Sequence, residues 1–209
     1  MEDFVHLHVH THYSILDGQS KVPYLVDKAI KNGMRGMALT DHGVMYGIKE
    51  LADYCASVNK KRKAEGLEPF KPIFGCEMYV AHHRLHDKVK EHGDNSGYHL
   101  IVLAKNYNGY KNLIKLVSKS WIDGYYYRPR TDRTELEKYH EDLIVCSACI
   151  AGEVPSKIIK GDLEGAREAC EWYHRVFGDD YYLELQRHEV KDPTILANRE
   201  AFPLQQKAN

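Results

Sequence analysis

Seven stretches of this sequence place a histidine, carboxylate or cysteine at or beside a short apolar run. In Phe4–Ser14 the period is two: His6, His8 and His10 share one side of a strand, and Val5, Leu7 and Val9 share the other. Asp17 follows in a polar loop, and Asp41-His42 follows the run Met34–Thr40. Glu77 lies inside Lys71–Ala81, His99 near the start of Tyr98–Ala104, Cys149 just after Leu143–Ser147, and His188 just after Tyr181–Gln186. Several imidazoles on one strand face repel when protonated and lose hydration when buried, unless a cation or an anionic group sits among them. A surface edge strand with a His-rich polar face is the plainer alternative.

Imidazole and carboxylate donors suit Zn²⁺, Mn²⁺ or Fe²⁺, and a cysteine ligand tilts the choice to zinc. The candidate ligands are His8, His10, Asp17, His42, Glu77, His99, Cys149 and His188. Two or three ions sharing bridging carboxylates would clamp a phosphate and hydrolyse its ester. Asp17, His42 and Glu77 are the expected catalytic set, acting through water activated by the metal, with a nearby His or Asp protonating the leaving oxygen. Asp17 and Glu77 are the preferred bridging carboxylates. Asp41 suits ligation and the bracing of a ligand equally well. Spacing alone fixes no two-metal assignment.

These residues need elements to hold them. After the opening strand, Pro23 starts a helix over Tyr24–Lys31 that Asn32-Gly33 ends. A second helix runs from about Tyr46 to Ala64 and a third over Asn106–Trp121; a short one starts at Thr134, with Thr131 or Asp132 near its cap. Two more cover roughly Val154–Lys160 and Leu163–Phe177, and a last one begins near Pro193. Strand and helix alternating in this way imply parallel pairing with helices outside, in an open sheet or a barrel. Chemistry gathered at the C-terminal ends of strands favours the barrel, and six strands fall short of the usual eight.

The remaining signals are weaker. The 209 residues hold 29 Lys+Arg against 30 Asp+Glu, which argues against a broad phosphate-neutralising surface. Five cysteines without a CxxC repeat read as thiols of a reducing compartment, and Cys55, Cys76, Cys146 and Cys170 sit in core-like contexts. No apolar run is long enough to span a membrane and no signal peptide is evident, so a cytoplasmic protein is expected. Lys60–Lys63 reads as a solvated helix end, and His82, His83, His86 and His92 as loop residues facing solvent. Gly124–Arg130, with three tyrosines and two arginines, suits stacking on bases or phosphate contact, and equally packing against a neighbouring domain.

Taken in order, His8 to His10, Thr11–Gly18, Leu39–Gly43, Gly75–Glu77, Tyr98–Ala104 and Leu183–His188 resemble the PHP (polymerase and histidinol phosphatase) family over essentially the whole chain, 1–209. More narrowly, they resemble the PHP domains at the N-terminus of bacterial DNA polymerase III alpha subunits. The resemblance implies a distorted TIM-like (β/α)₇ barrel with a metal cluster in a cleft at the strand ends. It implies metal binding by His8, His10, Asp17, His42, Glu77, His99 and Cys149, with His188 at a recurrent family histidine and His6 and His12 outside the ligand set. Family members complete the cluster with an Asp-x-His pair on a last strand. No such pair follows here, so the barrel is expected to be truncated before that strand and the polymerase domains to be absent.

The resemblance thus implies a parent DNA-directed DNA polymerase using Mg²⁺, with DNA, a proofreading exonuclease subunit, other replicase subunits and the rest of the polypeptide as partners. The domain itself would be a zinc-dependent 3′–5′ exonuclease or other phosphoesterase. The alternatives are a scaffold with a vestigial metal site and a freestanding small-molecule phosphatase.

Overall fold

The computed structural model describes residues 4–15, 17–88 and 97–186. Helix α1 (Val22–Lys31) carries Pro23 in its first turn, where a missing N–H costs nothing, and buries Val22, Val26 and Ala29. Strand β1 (Gly36–Leu39) is buried throughout. Helix α2 (Ile48–Ala64) turns Ile48, Leu51 and Cys55 inward, and they join α1 with Met37 and Leu39 of β1 in one cluster.

Strand β2 (Lys71–Val80) is the longest, and β3 (Tyr98–Ala104) pairs with it antiparallel, Glu77 opposite Ile101 and Tyr79 opposite His99. Helix α3 (Tyr107–Ile122) starts at Asn106, whose side chain accepts from the Asn108 and Gly109 amides. A small hairpin of β4 (Tyr125–Tyr126) and β5 (Arg128–Thr131) leads to α4 (Arg133–Lys138), capped by Asp132. Then come β6 (Leu143–Cys146), α5 (Glu153–Ile159), α6 (Leu163–Phe177) and β7 (Tyr181–Tyr182).

The strands run β4-β5-β2-β3-β6-β7, with β1 also on β2, so the sheet does not close into a ring among the described residues. Period-two alternation splits it into two faces. Cys76, Met78, Val80, Leu100, Val102, Leu143 and Val145 pack against α3, α4 and α6. On the other face Ala38, Ile101, Leu103, Cys146 and Ala148 form a small apolar floor, and Glu77 and His99 share its parity. Each Val or Leu buried on the outer face is worth ~1.5–3 kcal/mol. Together they can carry the several kcal/mol that sealing a charged Glu77 costs.

Several expectations need correction. Pairing is mixed: β1 and β5 run parallel to β2 and β7 parallel to β6, while β3 is antiparallel to both neighbours. The reason was visible in the sequence, because no helical pattern separates β2 from β3 and no crossover is therefore forced. The Phe4–Ser14 segment is not a regular strand. It lies along β1, with the Ala38 and Thr40 amides donating to the His6 and Val9 carbonyls. The Val9 amide donates to Thr40 Oγ1, so a hydroxyl interrupts the ladder. Gly124–Arg130 forms a hairpin rather than a bare turn, and the last described strand covers only two residues, Tyr181–Tyr182. His188, His92 and the helix expected from Pro193 lie outside the described residues.

Candidate metal centre

The site forms where one edge of β2 changes partner. β1 occupies that edge along Lys71–Phe74 and β5 along Tyr79–Val80. The chain leaving β1 bridges the gap: the Glu77 amide donates to the Asp41 carbonyl at 3.1 Å, and the Gly43 amide to the Glu77 carbonyl at 2.8 Å. Main chain thereby fixes His42 beside Glu77. On the other side of β2, His99 lies diagonally across from Glu77, and its own amide donates to the Ala151 carbonyl. That bond brings in the turn after β6, where Ala148 adopts a left-handed φ of 60° and Cys149 follows.

The Glu77 side chain, 1% exposed, is the hub. Its Oε1 lies 3.3 Å from His8 Nε2 and 3.1 Å from His99 Nδ1; its Oε2 lies 3.6 Å from His10 Nε2 and in close contact with His42 Nδ1. His8 Nε2 and His10 Nε2 are 3.1 Å apart, and the rings of His10 and His42 stack at 4.0 Å. At the rim, His42 Nε2 meets Asp17 Oδ2 at 3.1 Å, and Asp17 is 64% exposed. Cys149 Sγ lies 3.7 Å from His99 Nδ1. Of the expected ligands, His8, His10, His42, Glu77 and His99 are brought together, with Asp17 and Cys149 one contact further out.

Burial would raise the Glu77 pKa, yet the imidazoles of His42, His8 and His99 hold it well below the carboxylate range. Burial also opposes charge on His8 and His99. Glu184 and Glu77 outweigh it at His8, and Cys149 and Glu77 at His99, so both are pushed up to about 10. His10 goes the other way, to about 4, through burial and then the charge on His42. Glu77 alone therefore does not hold His8 and His99 protonated; each leans on a second partner, Glu184 or Cys149.

A cation suits these donors better than protons do. Among the described residues, His10 Nδ1, His42 Nδ1 and Glu77 Oε2 are buried without a hydrogen-bond partner, and the His42–Glu77 contact is too poorly aligned to be one. His8, His10 and Glu77 form one triad able to hold an ion, and His42, Glu77 and His99 a second. Both triads draw on Glu77 and each keeps its donor atoms within 4.8 Å of one another. Two donors at ~2.0–2.1 Å from one tetrahedral ion stand about 3.3 Å apart, close to the separations within the His8, His10 and Glu77 triad.

Asp41 resolves in favour of bracing. It is fully buried and accepts from the Thr11 amide at 2.6 Å, from Ser14 Oγ at 2.6 Å and from Thr11 Oγ1. Ser14 Oγ accepts in turn from the His42 amide. The loop folds so tightly that a Cβ on Gly18 would lie 1.8 Å from the Thr11 carbonyl oxygen, so only glycine fits beside Asp17. His6 is exposed, with its ring against Phe4.

The sequence reading passed over three contributors. Glu184 Oε1 contacts His8 Nδ1 at 2.8 Å, and Gln186 Nε2 donates to the same oxygen at 2.8 Å. A carboxylate on the outer nitrogen of a histidine fixes its tautomer and raises its basicity as a ligand. The signal was present, because Glu184, Gln186 and His188 share one parity in YYLELQRH. The third is Tyr79, whose ring stacks beside His42 at 6.3 Å and meets His99 edge-on at 5.1 Å. The expected core cysteines behave as such: Cys55, Cys76 and Cys146 are buried free thiols, and Cys170 is partly buried. No described helix is long and apolar enough to cross a membrane.

A model of the PHP domain family matches residues 6–188. The DNA polymerase III subunit alpha of Borreliella burgdorferi is 46% identical over 196 residues, covering 94% of this chain. That of Treponema pallidum is 44% identical over 195 residues, covering 93%. The chain spans about 16% of the length of these relatives. Among solved structures, a Bifidobacterium adolescentis protein assigned as a metal-dependent phosphoesterase aligns with 100% of this chain and 85% of its own, at TM-score 0.47 and 13% identity.

Proposed function

The chain belongs to the PHP domain family, and on that premise we propose that it is a metal-dependent phosphoesterase domain of a DNA polymerase III alpha subunit, trimming DNA from the 3′ end. One observation carries the reading: a sealed carboxylate, Glu77, faces four imidazoles while its Oε2 and two ring nitrogens lack hydrogen-bond partners among the described residues. His8, His10, His42, Glu77 and His99 would hold the metal, with Asp17, Cys149 and His188 completing the set. Zn²⁺ is the proposed ion, and Mn²⁺ or Fe²⁺ fits the same nitrogen and oxygen donors. When bound, such ions polarise a phosphoryl oxygen and supply a nucleophile near neutral pH.

The chain's own groups do the rest. Glu184 holds His8 Nδ1 so that Nε2 points into the cleft. The Asp41 network fixes the loop bearing Asp17. Asp17 Oδ2, exposed at the rim and in contact with His42 Nε2, orients that imidazole at the mouth of the cleft. Polymerisation with Mg²⁺, DNA as template and partners such as a proofreading subunit are proposed for the longer protein to which such a domain belongs.

The test is hydrolysis of 5′-labelled single-stranded DNA beside elemental analysis. Turnover that requires bound metal, and that His10→Ala and Glu77→Ala abolish without unfolding the chain, is expected. A metal-loaded chain that leaves DNA and simple phosphate esters intact would leave a scaffold role instead.

A further inference from the structure

The aromatic and basic segment Gly124–Arg130 takes no part in the metal centre, and the structure divides its two arginines. Arg130 is buried, its guanidinium donating to the main-chain carbonyls of Gly124, Leu85 and Asp87. Arg128 is exposed, lies 5.6 Å over the Tyr79 ring and has no carboxylate partner among the described residues. Tyr79 is the same ring that packs on His42 and His99, so an exposed positive charge stands directly behind the cleft wall.

Rings continue from that point. Trp121 donates its Nε1–H to the Gly43 carbonyl at 2.8 Å, one residue past His42, and stacks with Tyr125 at 5.6 Å and 24°. Pro129 abuts Gly43 so closely that a Cβ there would lie 2.7 Å from its Cγ. At the hairpin tip Tyr127 is 63% exposed with a φ of 59°, a conformation bulky residues rarely adopt. A strained, solvent-facing ring at this place is costly as packing and useful as a contact.

We propose that Trp121, Tyr125, Tyr127 and Arg128 form a platform for single-stranded nucleic acid, stacking the bases next to the terminus that enters the metal cleft while Arg128 holds a phosphate. Exposed π-faces accept any base, an exposed guanidinium complements the backbone, and nothing in the group reads sequence. The polarity of the strand rests on the phosphoesterase reading above; the binding does not.

The full chain, kept metal-free with chelator so that nothing is cut, is titrated with fluorescein-labelled oligothymidylate of about ten nucleotides, and anisotropy gives Kd. Tyr127→Gly, which relieves the positive φ, should weaken binding at least about fivefold with melting temperature unchanged or raised. Arg128→Ala should weaken it and flatten the salt dependence of log Kd by about 0.7. No binding by the wild-type chain, or equal Kd for wild type, Tyr127→Gly and Arg128→Ala, overturns the platform and leaves the ledge as a protein contact. Weakened binding in both variants, in a chain whose metal-loaded form does not hydrolyse DNA, upholds the platform and removes the phosphoesterase reading alone.

Discussion

Asp41 and Glu77 are sealed carboxylates joined through one main-chain hydrogen bond, and their surroundings differ in kind. Around Asp41 the donors are an amide and two hydroxyls, from Thr11 and Ser14. Around Glu77 they are ring nitrogens that can carry a proton or a lone pair, and Oε2 has no hydrogen bond. A carboxylate saturated by fixed donors fastens two pieces of chain together. One facing unsaturated imidazoles is a socket for a cation. Burial alone does not tell the two apart; the partners do.

That contrast is easiest to break at its extremes. Glu77→Gln should remove hydrolysis to background and weaken metal binding by more than the roughly 10–100-fold typical of outer partners, read by metal titration. Its metal-free melting temperature should match that of wild type at high pH and fall below it only near neutrality, where protonated His8 and His99 lose a partner. Asp41→Ala should do the reverse, costing about 3 kcal/mol or more by orphaning buried donors, a fall of about 6–12 °C for a chain of this size, with or without chelator. If both variants lose stability alike, Glu77 is another fastener.

A pH series sharpens the comparison. His8 and His99, raised from 6.5 to about 10 in the metal-free chain, contribute stability that is complete below 6.5 and lost as pH climbs through about 10. His10, lowered to about 4, is neutral in both states above 6.5 and does not oppose this. The chelated chain should therefore melt lower at about pH 9.5 than at about pH 6.5, and Glu77→Gln should flatten the slope. Metal binding should run the other way and tighten with pH, since it must displace those protons; calorimetry in buffers of different ionisation heat measures their release. The smallest effect is expected at Glu184→Gln, which loosens His8, should weaken metal binding by about 10–100-fold and should remove only the His8 share of the pH slope in chelator.

Much of this was legible in the sequence because alternation and caps are local. Strand β3 begins and ends where its apolar run does, Asp132 caps α4, and Glu77 stands out as a charge in an apolar strand. What was not legible depends on contacts between distant segments. The antiparallel return of β3, the hydroxyl of Thr40 interrupting the ladder beside Val9, and the choice of Asp41 as fastener all require knowing which loop lies on which strand. Glu184 was readable by parity, yet its partner His8 lies 176 residues away.

That separation also has a meaning in time. A ribosome adds ~5–20 residues per second, so the two partners of the His8–Glu184 hydrogen bond, 176 residues apart, are synthesised about 10–35 s apart. The first histidines of the centre leave the ribosome long before the group that orients one of them exists. Assembly of the complete site therefore waits until Glu184 has been made, however early the histidines emerge.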